Sequence, residues 1–247
     1  MPMLKRIRNL YAKYSSGNYA SPMQVEKAEY SFYLQYLQEG MTVFDVGANI
    51  GELSLLFSGL VGPSGKVHSF EASAATFHRL EQIVSLVHRQ NIVLNHKAVA
   101  DVDGTLKIHV YEEEYSGWNS LADRPLKNYG IDVLPIGLEN VDSITIDNYC
   151  RQHQIGMVDL LKVDVEGAEY QVLLGAREML KGKKIRRCSF EFGQTTFDMG
   201  NQPRQIKDYL NSMGYVIENI VRGDPSFPED KRTSMAQFSM HIARPRQ

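Results

Sequence analysis

A chain of 247 residues, 43% hydrophobic and 23% charged, has the composition of a globular protein and length for one large domain or two small ones. With 27 Lys+Arg against 29 Asp+Glu the net charge is −2, without the basic excess that neutralising a phosphate backbone requires, so long nucleic acid is a disfavoured partner. Cys150 and Cys188 stand far apart without CxxC spacing and read as buried thiols; no signal-peptide pattern and no run near the ~18 apolar residues of a membrane span occurs, so the expected compartment is cytoplasmic.

Residues 1–40 read as a helical N-terminal extension. Met3 to Tyr14 is basic and apolar at helical spacing, with Leu4, Ile7, Leu10 and Tyr11 on one face. Such a helix packs on its own domain or a dimer mate, or makes peripheral contact with a membrane. A second helical stretch runs from about Val25 to Leu37 and stops near Glu39-Gly40.

From residue 41 the chain reads as one α/β domain. Val43–Val46 is a buried strand followed by a helix over Gly51–Phe57; Lys66–Phe70 is the next strand, then a helix that Ser73 can cap, then the strand Ile92–Leu94. This order over about 55 residues is the mark of right-handed βαβ units and a parallel sheet. Asp103-Gly104 signals a turn and Thr105–Tyr111 an added strand. An irregular insertion over about 111–140 holds the only Trp, and is either a substrate loop or a surface excursion with short helices of its own. The rhythm returns with the strand Ile144–Ile146, a short helix from Asn148 to His153 capped by Asp147, the buried strand Leu160–Val165 and a helix over Ala168–Leu180. It ends with the strand Arg187–Phe192, a helix over Gln205–Met213, and a hairpin of Tyr215–Ile220 with Gln237–Ala243 at one sheet edge.

The strongest chemical signal is Val43-Phe-Asp45-Val-Gly47-Ala48-Asn49-Ile-Gly51-Glu52, a strand, a tight glycine turn and a helix start, where the backbone can approach a ligand. Dinucleotide sites prefer GxGxxG with pyrophosphate on the helix end; here the spacing is one residue tighter, and an acid two positions before the first glycine would repel a pyrophosphate and attract a cation. Asn49 can take the left-handed backbone of the middle turn position. S-adenosyl-L-methionine, with its ammonium and sulfonium on an adenosine free of phosphate, fits that chemistry. Glu71, closing the second strand some twenty residues on, is placed to accept from ribose hydroxyls.

A second cluster is Leu161-Lys-Val-Asp164-Val-Glu166-Gly-Ala-Glu169, a strand that ends in acids at the carboxyl edge of the sheet, where open α/β folds bind ligands. Asp164 and Glu166 need not face opposite ways if the chain turns at Gly167. Asp164 is the candidate general base for a hydroxyl nucleophile, with Glu166 and Glu191 on the following strand as acceptor ligands or substitutes. A Mg²⁺ held by these carboxylates is an open variant that the sequence does not favour, and no metal ligand is assigned. His68, His96 and His109 fall in strand-like stretches and read as structural. The Asn/Asp-Pro-Pro-aromatic loop that holds a planar amine is absent, which points to a hydroxyl acceptor.

The segments Phe44–Gly51, Phe70-Glu71 and Leu161–Glu169 resemble the FkbM-type class I methyltransferases, over roughly Thr42 to Phe192. The resemblance implies a Rossmann-like, doubly wound and mostly parallel seven-stranded sheet with a reversed last strand, and O-methylation of a sugar, glycolipid or polyketide-type hydroxyl with S-adenosyl-L-methionine. Carried onto this chain, Asp45, Gly47, Asn49 and Gly51, with Ala48 inside the turn, match the cofactor motif together with Glu71; Asp164 and Glu166 match the acidic motif. The expected partner is a small-molecule or glycan acceptor, with a homo-oligomer left open. The alternatives are an NAD-dependent oxidoreductase on a related fold and a catalytically silent cofactor-binding module.

Overall fold

A computed structural model describes residues 20–227 and 238–246. The basic stretch Met3–Tyr14 lies outside them. Seven strands form the main sheet: β1 (Thr42–Val46), β2 (Lys66–Glu71), β3 (Ile92–His96), β7 (Val158–Val163), β8 (Ile185–Phe192), β9 (Tyr215–Asn219) and β10 (Ser239–Pro245). Their order is β3-β2-β1-β7-β8-β10-β9. Pairing is parallel from β3 through β8, while β10 runs antiparallel to both β8 and β9. This is the mostly parallel seven-stranded sheet with a reversed last strand. A small sheet, β4 (Ala98–Val99), β6 (Gly137–Ile144) and β5 (Gly104–Val110), stands beside it.

The central strands are covered on both faces, as their apolar sequences require. On one face α1 (Pro22–Tyr36) and α2 (Glu52–Val61) pack Tyr33, Phe57 and Val61 onto Val43, Val67 and Leu160. The entry to α1 is fixed by a capping box between Ser21 and Gln24. On the other face Phe44, Val46, Leu161 and Val163 meet α4 (Ile146–Gln152), α5 (Glu169–Leu174), α6 (Arg177–Lys181) and α8 (Pro203–Ser212). Helix α3 (Ala74–Leu86) places Leu80 and Val84 against Ala48 beyond β1. The short α7 (Gln194–Asp198) follows β8. Among the described residues no helix is long and apolar enough to cross a membrane.

Local departures from the sequence reading have identifiable causes. The stretch expected as a strand over Ile144–Ile146 is divided: Ile144 ends β6, and Thr145 caps α4 by accepting from Asn148 N–H (3.2 Å). Asp147 does not cap that helix. Its carboxylate accepts from the N–H groups of Glu178 (2.7 Å) and Met179 (2.9 Å), opening α6 instead. The single helix expected over Ala168–Leu180 is therefore two, parted at Gly175, where a Cβ would lie 2.0 Å from the carbonyl oxygen of Ala100. The insertion contains short 3₁₀ helices at Glu113–Trp118 and Leu126–Tyr129 before β6 begins at Gly137. Cys150 and Cys188 are buried free thiols, as expected.

Candidate active site

A cavity of about 420 Å³ opens at the carboxyl edge of β1, β2, β7 and β8. That volume is in the usual range for small-molecule sites. One wall is the turn after β1. Gly47 has φ +78° and Asn49 φ +48°, so Asn49 does hold the left-handed position. The N–H groups of Gly47 (3.0 Å) and Ala48 (2.9 Å) donate to the carbonyl oxygen of Phe70, tying the turn to β2. A Cβ on Gly47 would fall 1.8 Å from the carbonyl oxygen of Asp164, so only glycine lets the two motifs touch.

Glu71 lines the cavity at the end of β2. It accepts from the N–H groups of Asn49 (2.9 Å) and Ser73 (3.0 Å). Burial drives its pKa up to about 7 despite those two donors. A carboxylate on a cavity wall is an acceptor for ligand hydroxyls, and their approach favours its charged form.

Asp164, Val165, Glu166 and Glu191 line the cavity as well. Just past β7 the chain turns with φ +54° at Glu166 and φ +108° at Gly167, which brings Asp164 and Glu166 to the same cavity. The turn is held from inside by Glu169, whose Oε1 accepts from the N–H groups of Val165 (3.1 Å) and Gly167 (3.2 Å). Burial raises the pKa of Glu169 to about 7. Glu169 is also the first residue of α5, where an acid favours the helix N-terminus; its second role as a brace needs the folded turn.

Glu166 is engaged by the insertion. Arg124, its side chain 1% exposed, places Nη1 3.1 Å from Glu166 Oε2 and Nε 3.8 Å from Asp198 Oδ2, with its guanidinium 5.7 Å from the centre of the Trp118 ring. Ser120 Oγ donates to the carbonyl oxygen of Glu166 (2.7 Å), and Tyr129 OH donates to Asp198 Oδ1 (2.6 Å). At its other end the insertion reaches the glycine turn, where Ser116 Oγ donates to Asn49 Oδ1 (3.5 Å). The insertion thus spans the cavity from one motif to the other and supplies part of its wall, Tyr115 through Leu121 and Arg124.

Of the residues singled out in the sequence, Gly47, Asn49, Glu71, Asp164, Glu166 and Glu191 line the cavity together. Asp45, Ala48 and Gly51 stand off it. The amide of Ala48 is taken by Phe70, and Gly51 caps the start of α2 at φ +90°, a backbone angle that favours glycine. Asp45 is fully buried beneath the turn, where Ser54 Oγ donates to its Oδ2 (2.6 Å) and Lys162 Nζ lies 3.1 Å from its Oδ1.

Lys162 is the residue that sequence reasoning missed. Strand register sets Asp45 beside Lys162, with Ser69 and Ser189 as the outer neighbours, making one polar rung across four strands. A base inside an apolar strand signals that it needs a buried partner, because an unpaired buried charge is costly; which acid that partner is, only the strand register decides.

The histidines stand apart from this chemistry. His68 Nδ1 lies 2.8 Å from Tyr149 OH in the core, and burial lowers its pKa to about 4. His96 Nε2 meets the carbonyl oxygen of Ala72 at 3.1 Å and its ring stacks on Phe77, while His109 sits in β5. Among the described residues no group of three His, Cys, Asp or Glu side chains is arranged to hold a metal ion.

Residues 45–217 match the model of the methyltransferase FkbM domain. The chain is 30% identical over 211 residues to the 31-O-demethyl-FK506 methyltransferase FkbM of Streptomyces tacrolimicus, spanning 77% of this chain and 78% of that protein. It is 25% identical over 191 residues to the 2-O-methyltransferase NoeI of Sinorhizobium fredii, spanning 74% and 76%. The crystal structure of a methyltransferase FkbM from Methylobacillus flagellatus KT shares the fold, with a TM-score of 0.50 at 14% identity over 98% of this chain and 60% of that one.

Proposed function

This chain belongs to the FkbM family of methyltransferases, and on that premise we propose that it moves the methyl group of S-adenosyl-L-methionine to a hydroxyl of a sugar, glycolipid or polyketide-type small molecule, in the cytoplasm. The observation that carries the reading is that the glycine turn, Glu71 and three carboxylates, Asp164, Glu166 and Glu191, line one cavity. Membership of a methyltransferase family sets aside the NAD-dependent alternative. That the two relatives are a 31-O-demethyl-FK506 methyltransferase and a 2-O-methyltransferase supports a hydroxyl acceptor.

The cofactor fits the residues present. Gly47 and Asn49 would hold its amino-acid end, and Glu71, whose two oxygens each accept from one backbone N–H, would accept from its ribose hydroxyls with the lone pairs left over. When bound, it supplies an electrophilic methyl group on a sulfonium. The remaining work falls to the protein. The carboxylate wall receives and orients the acceptor, and Trp118 with Arg124 screens water from that side; alignment of this kind lowers barriers by ~7–11 kcal/mol. Asp164, its side chain 37% exposed and facing the cavity, takes the acceptor's hydroxyl proton, a contribution of about 10²–10⁴-fold. Glu166, clamped by Arg124, orients the acceptor, and Glu191 offers a second carboxylate to its hydroxyls.

The test is calorimetric titration with S-adenosylhomocysteine, followed by methyl-transfer assays on sugars and macrolide alcohols. For Asp164→Asn a kcat loss of at least tenfold is expected. A smaller loss at unchanged cofactor affinity would remove Asp164 as the base. Binding of the product without methyl transfer to any acceptor would favour the silent module.

A further inference from the structure

The polar rung beneath the glycine turn does more than pair two charges. Lys162 Nζ, on a side chain 3% exposed, donates to the carbonyl oxygen of Gly47 (2.9 Å) and lies 3.1 Å from Asp45 Oδ1 and 3.9 Å from Asp164 Oδ2. Asp45 is sealed in the core, whereas Asp164 faces the cavity. Two carboxylates and one ammonium leave a single net negative charge, and the only member of the three on the cavity wall is Asp164. Burial disfavours the ammonium of Lys162, but Asp45 and then Asp164 outweigh it and hold the group protonated above the ordinary lysine range.

We propose that Lys162 is a positioning residue that sets the charge seen by the cofactor: by cancelling Asp45 it leaves one uncompensated carboxylate, Asp164, to distinguish the cationic S-adenosyl-L-methionine from its neutral product. The proposal rests on the cofactor assignment made above. At neutral pH the sulfonium substrate carries one more positive charge than the thioether product, so each net charge on the Asp45–Lys162–Asp164 triad changes the ratio of the two affinities. A structural prop would change both affinities together. The remaining acids near the triad are Glu29 from α1, Glu71 from β2 and Glu169 from α5; Lys162 helps keep Glu71 ionised, so its loss moves Glu71 toward the neutral form and offsets part of the expected rise, an offset that titration at pH 8, above the value of about 7 for Glu71, keeps small.

The experiment is isothermal titration of wild-type and variant chains at pH 8 with S-adenosyl-L-methionine and, separately, with S-adenosylhomocysteine. Lys162→Met makes the triad doubly negative and is expected to raise the preference for the sulfonium by about tenfold, while Asp164→Asn lowers it by about the same factor. Lys162→Met strands the buried Asp45 and can fail to fold, so the decisive pair is Asp45→Asn against Asp45→Asn/Lys162→Met. There the added loss of Lys162 removes one positive charge from a core that no longer holds the Asp45 carboxylate, and the preference is expected to rise by about tenfold. Both affinities falling together with their ratio unchanged, in the single variant or in that pair, would overturn the proposal and leave Lys162 a structural ion. A wild-type chain that binds neither ligand would overturn the cofactor assignment and this proposal with it; binding of both, with a ratio indifferent to Lys162, would overturn this proposal alone.

Discussion

At the scale of single residues, the two carboxyls pushed up to about 7, Glu71 and Glu169, matter for different reasons. Glu71 faces the cavity; Glu169 is fully buried and holds the acidic turn by two backbone donors. Because the folded pKa of Glu169 lies above its ordinary 4.5, the native chain binds this proton more tightly than the unfolded chain. Its contribution is complete below pH 4.5 and is lost as pH rises through 7. Glu169→Gln keeps the oxygen acceptor and removes the titration. Urea unfolding at pH 8 should find the variant more stable than the wild type, by up to roughly 3 kcal/mol, and an advantage that persists undiminished at pH 4.5 would contradict the assignment. How far the residues were legible follows from the same logic. Asp45, Glu71, Asp164 and Glu166 could be picked out because acids at strand ends are conspicuous. Lys162 could not be paired from sequence because its partner is 117 positions away and only strand register brings the two together.

At the scale of elements, the site is a contact between turns. The turn after β1 and the end of β7 meet at Gly47, where there is no space for a methyl group. Gly47→Ala should therefore cost roughly 3 kcal/mol or more, from backbone strain at positive φ together with overlap on Asp164. Denaturant unfolding checks the stability, and titration with S-adenosylhomocysteine should show the loss of binding that follows when the two motifs part. The insertion is the second such element. Arg124 ties it to Glu166 and Asp198, so Arg124→Met should loosen the acceptor side while leaving the turn after β1 intact. An acceptor KM raised by about tenfold or more, with product affinity changed less than about twofold, is the expected outcome in steady-state and binding measurements. A fall in product affinity as large as the rise in KM would place Arg124 on the cofactor side instead. The sequence marked this stretch as irregular but left open whether it was a substrate loop or a surface excursion. It has the short helices of the second and lines the cavity as the first requires, because its contacts are made to segments distant in the chain.

At the scale of the whole molecule, four buried titratable groups shape the dependence of stability on pH. His68 and His241 are held neutral by burial, with pKa values lowered to about 4 and about 3. His241 is enclosed by the rings of Phe190, Phe192 and Phe227. For each, the unfolded chain takes up a proton below its ordinary 6.5 while the folded chain does not, so stability is full above 6.5 and declines toward the folded value. Glu71 and Glu169 act in the opposite direction between 4.5 and 7. Together these four predict a plateau between about pH 4.5 and 6.5, with decline on both sides. Melting temperatures across pH 3–8 would check it. His241→Phe should flatten the acid side and Glu169→Gln the alkaline side; an acid limb unchanged by His241→Phe would place the acid sensitivity elsewhere.

The sequence by itself determined the alternation of strands and helices, the glycine turn and the acidic strand end, because periodicity, turn chemistry and charge at an element's terminus are local properties of the chain. Tertiary structure decided the break of the helix at Gly175, the transfer of Asp147 from one helix to another, the clamp of Arg124 on Glu166, and the pairing of Asp45 with Lys162 below the cavity. Each of these is a short contact between groups far apart in sequence. Local propensity cannot rank such contacts, since they exist only once a shared core has fixed which strand lies beside which.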